Sequence, residues 1–155
     1  MSITLSQADA IIAAILQRGR ELKLRPLSVV VVEPGCIVKA FAKEDGSAMM
    51  RFEMAFGKAY ASLALGRSSD LVRQRAEHRP MFMDYLLGAS KGQIFPEGGG
   101  QLVRNADGDV IGAIGVTGDT QEQDHELASH GIRAAGLKTD DDCATLGTKV
   151  RVTRD

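Results

Sequence analysis

Leu5, Ala8, Ile11, Ile12, Ile15 and Leu16 recur at the three- and four-residue spacing of an amphipathic helix, while Gln17, Arg18, Arg20 and Glu21 mark its wet face. Ser6, with Asp9 three residues on as a weak capping box, predicts the helix start, and Pro26 ends it. The period then shortens. Leu27 to Val32 is a β-branched run, and Cys36 to Lys43 is a second strand-like segment. Between them Glu33-Pro34-Gly35 has the order that a type II turn wants, so the two runs predict an antiparallel hairpin. Strict alternation in the second run puts Ile37, Lys39, Phe41 and Lys43 on one face and Val38, Ala40 and Ala42 on the other.

From Arg51 the helical period returns. Phe52, Phe56, Ala59 and Leu63 form a stripe at i, i+4, i+7 and i+11, and Gly66 suits the C-terminal cap. Ser68 or Ser69 predicts the cap of a further helix through Leu71, Val72 and Arg75, which Pro80 interrupts before Met81 to Leu87 resumes it. Gln101 to Arg104, the turn Asn105-Ala106-Asp107-Gly108 and the run Val110 to Thr117 predict a second hairpin. Gly112 and Gly115 leave gaps on its last strand where a backbone or a ligand can come close. Asp119 or Thr120, with Glu122 or Gln123, caps a final helix that turns Leu127, Gly131, Ile132 and Ala135 inward and closes at Gly136. Hairpins rather than crossovers predict an α+β chain, with a central, mostly antiparallel sheet of about five strands and helices packed against it. Residues 1–137 form the expected domain. Residues 138–155 are a polar C-terminal extension, either flexible or adding an edge strand through Lys149 to Thr153.

Composition narrows the function classes. The 155 residues are 44% hydrophobic, and 19 Lys plus Arg against 20 Asp plus Glu give a net charge of -1. That balance gives no bulk attraction to nucleic acid or anionic lipid, so neither partner is expected. The two cysteines, Cys36 and Cys143, fall in no CxxC pattern, which argues against a zinc cluster and covalent haem attachment. The first ten residues lack a basic start followed by an apolar run, and no apolar stretch is long enough to span a bilayer. A cytoplasmic location without membrane insertion is the expectation.

Several blocks in order then carry a resemblance. They are Leu5 to Ala14, the hairpin around Val29 to Phe41, Glu44-Asp45-Gly46, Gly57-Lys58-Ala59-Tyr60 with Ala64 to Ser68, and Gly99-Gly100. The longest is Asp107 to Gly118, continued by Glu122-Gln123-Asp124. From Leu5 to Leu137 the chain resembles the GlcG/HbpS family, a haem-degrading or haem-binding domain also found fused to corrinoid adenosyltransferases. The resemblance implies a compact sandwich around an antiparallel sheet, a homo-oligomer, and in some members a bound haem or related tetrapyrrole. Many members sit in catabolic operons. The family pattern usually reads Gly-Gly-Val-Pro-Ile where this chain has Gly99-Gly100-Gln101-Leu102-Val103, which changes one wall of the implied pocket.

The residues that carry candidate chemistry each have a plainer reading. Lys58, on a helix with Glu53 and Arg51 in the turns before it, either grips a carboxylate such as a haem propionate or pairs with a neighbouring acid. Phe95 and the glycine loop through Gly99 and Gly100 either turn backbone amides toward a ligand or form ordinary turns. Together with Thr117 and Gly118 at the start of the last helix, these residues are the expected ligand-binding set. His78 and Met81 are candidate haem axial ligands, although Met and Phe at this spacing are more often plain core. Glu122 and Asp124 either hold a metal ion through oxygen or answer the helix dipole. His125 and His130 are five apart, not the i, i+4 spacing of two ligands on one helical face. No GxSxG nucleophile elbow occurs, and Cys36 lacks a flanking cation, which suits a passive apolar residue. Three readings stay open. One is a binding protein for a small ligand, with haem or another tetrapyrrole as the implied cofactor, accessory to a catabolic pathway. The second is an enzyme acting on a small organic acid with Lys58 or Glu53 as acid or base. The third is a structural or chaperone-like subunit.

Overall fold

A computed structural model of the chain describes residues 1–143. Its first helix, α1 (Leu5–Glu21), is capped by Thr4, two residues before the expected Ser6. Thr4 Oγ1 accepts from the Gln7 backbone N–H at 3.1 Å, and the Gln7 side chain accepts from the Thr4 N–H at 3.0 Å. The cap moves because buried Ile3 donates its N–H to the Ile111 carbonyl at 2.8 Å, which makes Thr4 the last extended residue.

Strands β1 (Ser28–Glu33) and β2 (Ile37–Lys43) form the first hairpin. Gly35 takes φ +86° at the third position of its turn, and the Cys36 N–H closes the turn on the Glu33 carbonyl at 2.9 Å. Helices α2 (Arg51–Leu65), α3 (Ser69–His78) and α4 (Pro80–Ala89) follow. Strands β3 (Gly100–Arg104) and β4 (Val110–Thr117) make the second hairpin, and α5 (Gln121–Ala134) closes the domain. The sheet order is β2-β1-β4-β3 and every neighbouring pair is antiparallel. The described residues hold four strands rather than about five, and the proposed edge strand at 149–153 lies outside them. Arg104 and Lys138 form an antiparallel bridge, and Arg104 Nε donates to Asp140 at 2.7 Å, so the first residues of the extension are tied to the β3 edge.

The second strand departs from simple alternation. Val31 pairs with Ala40 but Val32 pairs with Val38, so Lys39 is bulged out of the ladder. A single extra residue reverses every side chain beyond it. Val38 therefore lies on the same side as Phe41, not with Ala40 and Ala42 as strict alternation predicts.

Each sheet face has its own cover. On one side Val29, Val31, Ile114 and Val116 meet Ile11 and Ile15 of α1 and Leu127 and Ile132 of α5. On the other, Val30, Val32, Leu102 and Ala113 meet Ala55 and Ala59 of α2, flanked by Phe52 and Phe56. Each such fully buried aliphatic side chain contributes about 1.5–3 kcal/mol relative to exposure. The gap expected at Gly115 is filled by protein. A Cβ there would collide with the Ala55 carbonyl, and one on its ladder partner Gly100 would collide with the Lys58 carbonyl. The two glycines let the backbone of α2 lie directly on the sheet.

Candidate functional site

The chain brings most of the expected ligand set together at one end of the sheet, and packs it closed. Lys58 sits on the buried side of α2, only 2% exposed. Its Nζ donates to the Val116 carbonyl at 2.9 Å and to Asp124 Oδ2 at 3.1 Å. Asp124, 1% exposed, also accepts the Asp119 backbone N–H on Oδ1 at 3.1 Å. Burial pulls the Lys58 ammonium below the ordinary lysine range against the attraction of Asp124. Burial likewise raises the Asp124 carboxyl against the attraction of Lys58. The Phe95 ring centroid lies 5.8 Å from the same ammonium.

The glycine loop is part of this packing. Gly99, at φ +126°, accepts the Val116 N–H on its carbonyl at 2.9 Å, and a Cβ there would press on Val116, Asp124 and Lys58. The Gly100 N–H donates to Ser69 Oγ at 2.7 Å, so this amide faces protein rather than ligand. Thr117 Oγ1 accepts from Arg51 Nη1 at 3.0 Å, and Gly118, at φ +143°, lies against the Pro26 carbonyl. Glu53 is exposed on α2, five residues and about 140° around the helix from Lys58, so it does not share the Lys58 setting.

The remaining candidates lie apart. His78 is exposed at the end of α3, with Nδ1 2.7 Å from the Gln74 carbonyl, and Met81 is 85% exposed in the first turn of α4. A hollow of about 120 Å³ nearby is lined by Leu65, Arg67, Val72, Arg75 and Phe82 and includes neither. Glu122 is exposed, whereas both Asp124 oxygens already have partners, and the described residues hold no cluster of three or more metal-ligating side chains. The cap of α5 is Thr120, whose Oγ1 accepts the Gln123 N–H at 3.2 Å. Burial pushes the half-buried Cys36 thiol up to about 11, which suits the passive reading.

A second arrangement has the room that the first lacks. Between α1 and α5 runs an open groove of about 690 Å³. Leu22 and Ala134 supply exposed apolar surface above the buried Leu127. Arg18, His130 and Arg133 supply cations and an imidazole, and Gln123 and Glu126 complete the lining. The two helices run antiparallel: the Arg25 N–H just beyond α1 reaches Asp119 Oδ2 at 3.0 Å ahead of α5, while Gly131 lies against Ile15. In the sequence Arg18 reads as part of a wet face, Leu127 as part of the inner side of the last helix, and His130 only for its spacing to His125. The signal is present as a second stripe on α5, with Gln123, Glu126, Leu127, His130 and Ala134 at i, i+3, i+4, i+7 and i+11.

An antiparallel sheet with helical cover on both faces defines a small α+β domain. The chain belongs to the haem-degrading, HbpS-like family, whose model matches residues 3–133. Solved structures share the fold. The PduOC:haem complex superposes with a TM-score of 0.80 at 21% identity, covering 90% of this chain and 99% of that one. Protein ORFY of Klebsiella pneumoniae gives a TM-score of 0.77 at 25% identity over 86% of this chain and 90% of its own. HbpS gives 0.71 at 22% identity over 95% of this chain and 92% of its own. A comparison with curated protein sequences returned no match. No helix among the described residues is long and apolar enough to cross a membrane.

Proposed function

We propose that this protein binds haem or a related tetrapyrrole and serves a catabolic pathway as a cytoplasmic accessory protein. The observation that carries the reading is the α1–α5 groove. Its volume of about 690 Å³ falls within the roughly 300–1,000 Å³ of small-molecule sites. Its lining pairs apolar surface with an imidazole and two guanidinium groups, the donor set suited to a flat, metal-bearing dicarboxylate. Family membership and the haem recorded in the PduOC complex support the same ligand class. Such a group would supply a redox-active iron; the chain's own part is to bind and orient it. Catalysis by Lys58 and Glu53 finds no comparable support, because the lysine is buried in an ion pair and the glutamate lies apart from it. Titrating the purified protein with haemin tests the proposal. A saturable Soret shift at one haemin per chain is the expected result, and a spectrum that only adds free haemin would refute it.

A homo-oligomer forms part of the same proposal. The edge strand β2 exposes Ile37, Val38 and Phe41, and Met49 and Met50 just ahead of α2 are exposed as well. Phe41 meets Phe52 edge-on at 5.0 Å between centroids, and Phe52 stacks on Phe56 at 5.8 Å. An apolar edge of this kind invites pairing with another copy. Sedimentation at micromolar concentration is expected to give a species heavier than the 16.6 kDa chain. A lone monomer there would count against it.

A further inference from the structure

We infer that His130 is the axial ligand for haem in the α1–α5 groove, and that Arg18 and Arg133 take the two propionates. The inference rests on the haem-binding reading and adds the residues that would do the work.

His130 is exposed on the outer side of α5, where the helix packs with α1, so its imidazole reaches the groove without uncovering core. Its neighbours on the same stripe are suited to a porphyrin. Ala134, one turn after, is exposed and offers apolar surface beside the ring, while Leu127, one turn before, is buried in the core beneath it. The stripe from Gln123 to Ala134 rises about 16 Å along the helix, enough for a macrocycle with its side chains to lie along it. Leu22 closes the α1 side.

The cations are available. Arg18 is paired with Glu21 at 3.2 Å and Arg133 with Asp142 at 3.1 Å, and in both pairs the arginine side chain is about half exposed. Exposed pairs of this kind are weak, so a ligand carboxylate can take the place of either acid. Guanidinium groups also match the planar, two-oxygen geometry of a propionate better than an ammonium does. Glu126 is the one acid among the described residues that line the groove. It disfavours a propionate beside it and orients the ligand with its carboxylates toward the arginines. It also stands four residues before His130, the spacing at which an acid can steady an imidazole that binds metal.

His78 and Met81, the other candidates for the iron, lack such surroundings. Both are exposed, and neither lines the α1–α5 groove or the small hollow beside Phe82.

The test uses haemin with the whole protein and four variants. His130→Ala is expected to lose the imidazole-ligated Soret and visible bands and to bind haemin about tenfold or more weakly, with added imidazole restoring the bands. The Arg18→Ala/Arg133→Ala double variant is expected to weaken haemin binding while leaving the dimethyl ester of haemin as it was. His78→Ala and Met81→Ala are expected to match the parent. Far-UV circular dichroism checks that each variant folds, and every substituted position is exposed. If the parent binds and His130→Ala keeps its spectrum and affinity, this assignment is overturned and the haem reading survives. The same holds if the spectrum changes in His78→Ala or Met81→Ala instead. If the parent shows no saturable shift, both fall together.

Discussion

Replacing Lys58 by alanine is expected to destabilise the protein by about 3–5 kcal/mol, because it strands the Asp124 carboxylate in the interior. The pair is 3.1 Å long with both side chains at most 3% exposed, and the lysine also holds the Val116 carbonyl at 2.9 Å. For a chain of this size the loss corresponds to a fall in Tm on the order of 10 °C. Lys58→Met combined with Asp124→Leu removes both charges and keeps apolar volume. It is expected to recover most of the loss, since a buried pair is often no better than a well-packed apolar one. Thermal unfolding of Lys58→Met, Asp124→Leu and the variant carrying both gives the coupling directly. A Lys58→Ala protein with parental Tm would mean that the ion pair does not hold α2 to α5. The double variant also separates roles: on the groove reading it still binds haemin.

The second large effect is expected at Gly115. An added methyl would occupy the position of the Ala55 carbonyl oxygen and touch the Ala59 nitrogen, both of them helix backbone with no side-chain torsion to relieve the clash. Either α2 lifts off the sheet or β4 bends. Gly115→Ala is therefore expected to cost about 3 kcal/mol or more, at the upper end of overpacking penalties. Gly88 is the control. It lies in α4, where an added methyl would meet no atom within 4 Å, so Gly88→Ala is expected to be neutral or to stabilise by up to about 1 kcal/mol. Urea unfolding distinguishes the two, and equal midpoints for both variants would refute the close approach of α2.

Gly115 also shows how far local pattern reaches. Two glycines in a strand announce that something comes close, and the sequence carries that much. Whether the visitor is a ligand or a helix backbone depends on Ala55, sixty residues earlier in the chain. The same division holds at the caps. Thr120 and Gln123 are legible as the start of α5 because both partners lie within one turn. Ser6 reads as the start of α1, yet the cap is Thr4, because the deciding bond runs from Ile3 to Ile111. Val38 reads as a partner of Ala40 and Ala42, because the bulge at Lys39 shows only when β2 is laid against β1.

What the sequence determined by itself is the order of helices and strands, the two hairpins, the antiparallel sense of the sheet and the apolar side of each helix. These follow from periods of two and 3.6 residues and from turn chemistry, all of which act within a few positions. Tertiary structure alone decided that Lys58 is a buried strut, since its two partners lie 58 and 66 residues away. It alone brought Arg18 of the first helix and His130 of the last to one groove. A side chain's charge is written locally, but its burial and its neighbours are set by which distant surfaces meet, and chemistry depends on those.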